Sequence, residues 1–369
     1  MSPIKDLGLV YEALNAGDTF SQGDTIAAMV TFTLTKETKL KGLSVKLKGD
    51  ADVHWSEGTG DKRRSHSAHR TYLKLKDNLV AQNENGTVLP KGDHQLKFRF
   101  TFPQGEMPSS FRGLHGKICY ILVAKVSRSW RMPSSVQKEL NFVSKSSHTV
   151  QAIHPQSGSV DKKMSGFADG QVEMSATVNT NVCSPGDTVS VAAQIRNSSS
   201  KQTKTKFSLQ QKIVYRANAS TKVNDQSLWK MVGETIEPNS AETASCQFTV
   251  PADVTHTLQD CEIISVSHYL KVYLDISFAI DPKVEFPLVV VPSGFANLQP
   301  GGAPGPYPSG PFGAPSYSDF PPPAYPVGPY PAPAGSGAYG YSAPDPTQHA
   351  NMSSGYYNQE PQQAPPEGF

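Results

Sequence analysis

The 369-residue sequence predicts an all-β protein, two Ig-like antiparallel β-sandwiches in series followed by a disordered tail rich in proline and tyrosine. Three observations lead there. Apolar and polar residues alternate with period two through the first 292 residues, no part of that body sustains a helical period, and proline crowds into the last fifth of the chain.

The alternation is clearest in Ile26, Ala28, Val30, Phe32 and Leu34, in Leu43, Val45 and Leu47, in Leu96, Phe98, Phe100 and Phe102, and in Ile118, Tyr120, Leu122, Ala124 and Val126. Successive side chains of a strand point to opposite faces, so each set covers a core while Lys46, Lys97, Arg99 and Lys125 meet water. The pattern returns in Val172, Met174, Ala176 and Val178, in Val189, Val191, Ala193 and Ile195, and in Leu270, Val272, Leu274 and Ile276. Between these segments lie turn signals such as Gly23-Asp24, Asn85-Gly86 and Lys91-Gly92-Asp93, where glycine supplies the positive φ of tight hairpins.

An internal repeat divides the body. Ser21-Gln22-Gly23-Asp24-Thr25 is matched by Ser184-Pro185-Gly186-Asp187-Thr188, each opening an alternating strand, and Tyr120-Ile121-Leu122-Val123-Ala124 is echoed by Tyr269-Leu270-Lys271-Val272-Tyr273. The copies stand roughly one domain length apart. The expected organisation is a sandwich over 1–150, a hydrophilic connection over 151–166, a second sandwich over 167–292 and a tail over 293–369.

The tail holds 18 of the 30 prolines, eight tyrosines, four acids and no Lys or Arg, so the formal +2 of the chain leaves +6 on the body. With almost no aliphatic residues the tail cannot offset chain entropy by burial and is expected to sample polyproline II. A surplus of +6 spread over the body is too dilute to imply nucleic-acid binding. Cys119, Cys183, Cys246 and Cys261 lack C-x-x-C spacing and read as reduced thiols, with neither a zinc site nor a disulfide framework. The opening residues show no apolar signal region, so a cytoplasmic protein is expected. The sequons at Asn85, Asn197 and Asn218 are then chance matches.

Phe320-Pro321-Pro322-Pro323-Ala324-Tyr325-Pro326 carries the strongest motif in the tail. WW domains grip proline rings in an aromatic groove and seat a nearby tyrosine in a second pocket, which makes Pro322, Pro323 and Tyr325 the candidate contacts. Ala314-Pro315-Ser316-Tyr317 lacks the first proline, so Pro315 and Tyr317 form at best an auxiliary site, effective through avidity with tandem WW domains. Gly335-Ser336-Gly337-Ala338-Tyr339-Gly340 fits a dinucleotide-loop pattern but lies in low-complexity sequence, without the strand and helix such a loop requires. His66 and His69, with His54 nearby, belong to a hydrophilic stretch from Glu57 to Arg70 that reads as a solvated hairpin loop, not a metal site. Lys62-Arg63-Arg64, with Arg70, reads first as part of that loop and second as a contact for acidic phospholipid headgroups. No hydrolase, zinc-protease or P-loop motif occurs; neither catalysis, a cofactor nor a small-molecule substrate is expected.

Phe102-Pro103 followed by Met107-Pro108-Ser109-Ser110-Phe111-Arg112-Gly113-Leu114-His115-Gly116-Lys117-Ile118-Cys119-Tyr120 resembles the N-domain signature of arrestin-domain proteins. Ala51-Asp52-Val53-His54-Trp55-Ser56-Glu57 is similar to a second N-domain element, and Ser184-Pro185-Gly186-Asp187, Ile195-Arg196-Asn197-Ser198-Ser199, Cys261 to Val272 and Phe286-Pro287-Leu288-Val289-Val290 resemble parts of the C-domain. With its Pro-Pro-x-Tyr tail the chain resembles the α-arrestins. That resemblance implies the arrestin fold and a non-enzymatic adaptor. Its sandwiches would hold cytoplasmic parts of receptors or transporters, and its tail would bring a HECT-type ubiquitin ligase at the plasma membrane and endosomes. The runner-up is a retromer-type sorting subunit that needs no ligase. The chain departs from related members in having one complete Pro-Pro-x-Tyr motif, where two are common.

Overall fold

The computed structural model describes residues 2–82, 85–145, 153–164, 169–277 and 280–293. In the first sandwich β1 (Ile4–Tyr11), β3 (Thr25–Leu34) and β8 (Gly92–Thr101) form one sheet in the order β1-β3-β8. The facing sheet runs β2-β11-β10-β5-β6, from β2 (Thr19–Phe20), β5 (Gly42–Glu57), β6 (Arg64–Val80), β10 (Gly116–Arg128) and β11 (Arg131–Phe142). The short strand β9 (Phe111–Arg112) pairs with β10, and β4 (Thr38–Leu40) pairs with β7 (Thr87–Leu89).

The second sandwich repeats this plan. One sheet is β12-β13-β15-β18, from β12 (Gln156–Met164), β13 (Gly170–Val178), β15 (Thr188–Ser199) and β18 (Ser240–Thr249). The other is β14-β20-β19-β16-β17, from β14 (Val182–Cys183), β16 (Thr203–Ala217), β17 (Ser220–Ile236), β19 (Ile264–Ile276) and β20 (Lys283–Val290). Alternate residues of the central strands are buried as the sequence pattern requires; β3 buries Ile26, Ala28, Val30, Phe32 and Leu34.

The repeated Gly-Asp turn shows why the duplication is visible in sequence. Asp24 Oδ2 accepts the amide of Ser21 at 2.7 Å, and Asp187 Oδ2 accepts the amide of Ser184 at 2.7 Å. Gly23 (φ 84°) and Gly186 (φ 88°) occupy the left-handed region, where a Cβ is disfavoured. Their amides donate to Phe102 O at 3.0 Å and to Val250 O at 2.9 Å. Each turn is preceded by a two-residue strand lying parallel to the last strand of its sheet, Thr19–Phe20 on Asn141–Phe142 and Val182–Cys183 on Val289–Val290.

Two expectations are corrected. The connection expected over 151–166 contains β12, fully registered against β13 from Gln156↔Val178 to Met164↔Gly170. Its side chains are mostly polar because it is an edge strand held by backbone hydrogen bonds, and its Gly158 leaves room for Val284 of the facing sheet. Nor is the stretch from Glu57 to Arg70 a loop. Strands β5 and β6 continue to Glu57↔Arg64, leaving only a short connection with a 3-10 turn at Gly60–Lys62.

Asn197 is fully buried, and its Nδ2 donates to Lys201 O at 2.8 Å and Glu237 O at 3.1 Å while Oδ1 accepts from Ser199. A carboxamide occupied in this way is closed to glycosylation, whatever the surrounding tripeptide. Asn197→Ala should leave buried carbonyls without donors and lower stability by about 2 kcal/mol in urea titration.

Candidate functional site

The described surface holds three places where charged or aromatic side chains converge: the joint between the sandwiches, the outer face of the β5–β6–β10 sheet, and the ends of its two long hairpins. The joint is apolar at its centre. Ile213, Tyr215, Ala217, Leu258, Cys261, Ile263, Ile264 and Val266 of the second sandwich belong to the same buried cluster as the core of the first. The Tyr215 ring meets His115 edge-on at 5.4 Å, and burial raises the Tyr215 pKa while the backbone of His115 and Leu114 partly offsets it. Around this centre the Tyr72 hydroxyl accepts from the Glu262 amide at 3.1 Å and donates to Cys261 Sγ at 3.5 Å. Arg70 Nε pairs with Glu262 at 2.7 Å, and Lys222 pairs with Glu57 at 3.2 Å. The Lys222 hydrogen bond holds the Glu57 carboxyl below its ordinary pKa. These exposed pairs orient the joint more than they stabilise it.

The long signature from Met107 to Tyr120 is structural. Pro108 O accepts the Tyr120 hydroxyl at 2.8 Å, the Ser110 amide donates to Phe142 O at 2.8 Å, and Ser109 Oγ accepts the Ser144 amide at 2.9 Å. Phe111 and Met107 are buried, Arg112 pairs with Glu139, and the turn closes through Gly113 N to Gly116 O at 2.9 Å. This strap closes one end of the first sandwich and carries His115 to the joint.

Of the sequence-predicted residues, Pro315, Tyr317, Pro322, Pro323 and Tyr325 lie outside the described residues. Lys62, Arg63 and Arg64 are exposed at the β5–β6 tip, and among the described residues none of them is ion-paired to a carboxylate. Arg70, grouped with them in the sequence, is engaged by Glu262 at the joint instead. The three histidines do not converge. His66 stacks on buried Trp55 at 5.1 Å, whereas His69 Nδ1 meets Asp52 at 2.7 Å in a different register pair, Asp52↔His69. Among the described residues no three His, Cys, Asp or Glu side chains are placed to hold a metal ion.

The sheet face was not legible as a cluster in sequence. Register aligns Lys46 with Lys76 and Lys48 with Lys74, and Lys125 stands opposite Ser44 on the next strand. The Lys46 pKa is lowered, first by partial burial and then by repulsion from Lys76, Lys48, Lys125 and Lys74. The signal available was a period-two run of lysine in β5 and β6, but only the pairing brings the two runs side by side.

Cys119, Cys183 and Cys246 offer no activated nucleophile. Burial pushes the Cys183 thiol up to about 12 and Cys246 up to about 11, and it also raises Cys119. A thiol shifted that way is protonated and inert at neutral pH.

Residues 10–149 match the family described as "Arrestin (or S-antigen), N-terminal domain", and residues 168–295 match "Arrestin (or S-antigen), C-terminal domain". Arrestin domain-containing protein 4 of Mus musculus is 29% identical over 298 residues, covering 78% of this chain and 72% of that protein. The chain belongs to the α-arrestin family. The human arrestin domain-containing protein 4 is 28% identical over 298 residues, covering 78% and 71%, and the Thioredoxin-interacting protein of Rattus norvegicus is 24% identical over 276 residues, covering 73% and 70%. The two matched arrestin domains fall on the two sandwiches, with β12 of the second lying ahead of its matched segment, and the two sandwiches repeat one topology. Membership suggests an adaptor and not an enzyme.

Proposed function

We propose that this α-arrestin joins the cytoplasmic parts of receptors or transporters to a WW-domain HECT-type ubiquitin ligase, so that the cargo is ubiquitinated, internalised and sorted through endosomes. The observation that carries the reading is Pro322-Pro323-Ala324-Tyr325, set in a base-free, proline-rich segment behind an α-arrestin body. Two consecutive imino acids favour the extended conformation a WW groove accepts, so little entropy is lost on docking, and Tyr325 supplies the ring for the second pocket. The 30 residues from Pro292 to Pro322 span at most about 90 Å if fully extended as polyproline II, enough to bring a tethered ligase beside cargo held on the body. The protein then works at the cytoplasmic face of the plasma membrane and of endosomes, with Lys62, Arg63 and Arg64 available to acidic headgroups.

Calorimetric titration of the full chain with a WW-domain protein tests the assignment. Tyr325→Ala should weaken binding by roughly thirty-fold, about 2 kcal/mol, and Tyr317→Ala by no more than a few-fold. Unchanged affinity in Tyr325→Ala would remove the ligase from the mechanism. Phosphorylation of Tyr325 adds nearly two negative charges and should weaken docking in the same assay.

A further inference from the structure

The tip of the β10–β11 hairpin makes three locally unfavourable choices at once. Trp130 is fully exposed and adopts φ 55°, a left-handed conformation in which a bulky aromatic is out of place and Gly or Asn would be preferred. Met132, two residues on, is 87% exposed. Arg128 stands directly opposite Arg131 in the register, a like-charge pair where opposite charges would support the hairpin. None of these choices helps the strand pair to form, and backbone strain of this kind concentrates where a segment has another task.

The surroundings indicate what that task is. The Lys41 amide donates to Ser127 O at 2.8 Å, which puts exposed Lys41 and, through β4, exposed Lys39 beside the tip. Three residues back along β10 the lysine face begins with Lys125 and continues through Lys46 and Lys76, whose charges repel one another without an ion-pair partner among the described residues. The ensemble is therefore a protruding aromatic and thioether wedge backed by a broad, uncompensated cationic sheet. A short acidic peptide would be held by a cleft with converging donors, whereas a wedge ahead of a spread of cations matches a deformable apolar layer beneath a plane of anionic groups. Trp and Arg favour that boundary because each combines an apolar body with a polar or charged group.

We propose that this hairpin is a membrane-docking element. It places Trp130 and Met132 at the headgroup level of an anionic phospholipid bilayer, while Arg128, Arg131 and the neighbouring lysines hold the phosphates. The site lies at the opposite end of β5 from Lys62–Arg64, about 50 Å away along a 16-residue strand, so the two tips are separable by mutation. The proposal rests on the peripheral location given above only in that a bilayer must be at hand; it makes no use of the tail.

The chain carries its own probe. Trp55 is buried against His66 and Trp229 is half-buried on Phe248, so a change in the environment of Trp130 dominates any shift in tryptophan emission. The full chain is mixed with phosphatidylcholine vesicles, with vesicles that also contain phosphatidylserine, and with a brominated version of the latter. Emission should shift to the blue and be quenched by bromine only with the anionic vesicles. Trp130→Asn suits the left-handed turn and should fold at least as well as the parent by thermal melting, yet lose at least ten-fold in vesicle partition. Arg128→Ala with Arg131→Ala removes two headgroup charges and should lose roughly thirty-fold. Tyr325→Ala should bind vesicles as the parent does, whereas Lys62→Ala with Arg63→Ala and Arg64→Ala removes only the distant headgroup contact and should lose no more than a few-fold. Unchanged emission with anionic vesicles overturns the proposal, as does undiminished partition by Trp130→Asn or loss of partition in the Lys62–Arg64 variant alone. A Trp130 shielded by an acidic protein but never by vesicles would make the tip a protein interface and equally refute membrane docking. Loss of ligase binding by Tyr325→Ala with no vesicle effect at Trp130 sinks this inference and leaves the ligase reading standing.

Discussion

Tyr120→Ala should lower stability by about 4–5 kcal/mol, the largest single-residue effect expected in the first sandwich. Tyr120 is fully buried in β10, with its ring 4.4 Å from Phe142 and 6.3 Å from Phe102, and its hydroxyl closes the strap on Pro108 O at 2.8 Å. Truncation removes the aromatic packing, opens a cavity between two tilted rings and strands a buried carbonyl, and these losses add. Tyr120→Phe keeps the ring and removes only the hydrogen bond, so it should cost about 1 kcal/mol. The neighbouring Gly49 shows how closely the ring is seated, since a Cβ there would overlap the Tyr120 edge. Urea titration of both variants separates the contributions. A Tyr120→Ala chain as stable as the Phe variant would show that the strap and ring are not the keystone of this sheet.

Acidification should destabilise the second sandwich by about 3 kcal/mol between pH 6.5 and pH 4 through His268 alone. Burial, and then repulsion from His256, lowers the His268 pKa from 6.5 to about 4. Hydrogen bonding works in the same direction. Gln226 Nε2 donates to Gln211 Oε1 at 3.0 Å, which turns Gln211 Nε2 toward His268 Nε2 at 3.1 Å. Thr257 Oγ1 meets His268 Nδ1 at 3.2 Å and accepts the Val290 amide at 2.9 Å. The arrangement suits a neutral imidazole protonated at Nδ1; a proton on Nε2 would face a donor. Because the folded pKa lies below the unfolded one, the unfolded chain binds more protons between these limits. Stability is therefore intact above pH 6.5 and is lost as pH falls through 4. His256, also lowered by burial, acts in the same sense. Urea midpoints at pH 7 and 4.5, compared between the parent and His268→Gln, isolate the contribution. Parallel losses in the two proteins would show that His268 does not couple to folding.

Local pattern was a good guide wherever a strand buries one face. The alternation in β3, β10, β13, β15 and β19 is also the burial pattern of those strands. It failed at β12 and at the start of β6, both edge strands whose side chains are largely solvated. Edge pairing is made by backbone groups that carry no side-chain signature. The same limit hid the lysine face, because Lys46 and Lys76 meet only through the β5–β6 register. At Trp130 the residue was plain to read, but its exposure and positive φ belong to the folded hairpin.

From the sequence alone follow the division into two duplicated sandwiches, the Gly-Asp turn that opens each, and the abrupt change to a proline-rich tail. These are encoded in periodicity, in residues fitted to particular turns and in composition, all of them local properties. The tertiary structure alone decided which polar groups are buried, how the strap and the joint are built, and where cations gather. Asn197 donates to the carbonyl of Glu237, 40 positions away, and His268 meets Gln211 across 57 positions. Contacts at such separations arise from strand pairing across the chain, and no window of neighbouring residues contains them.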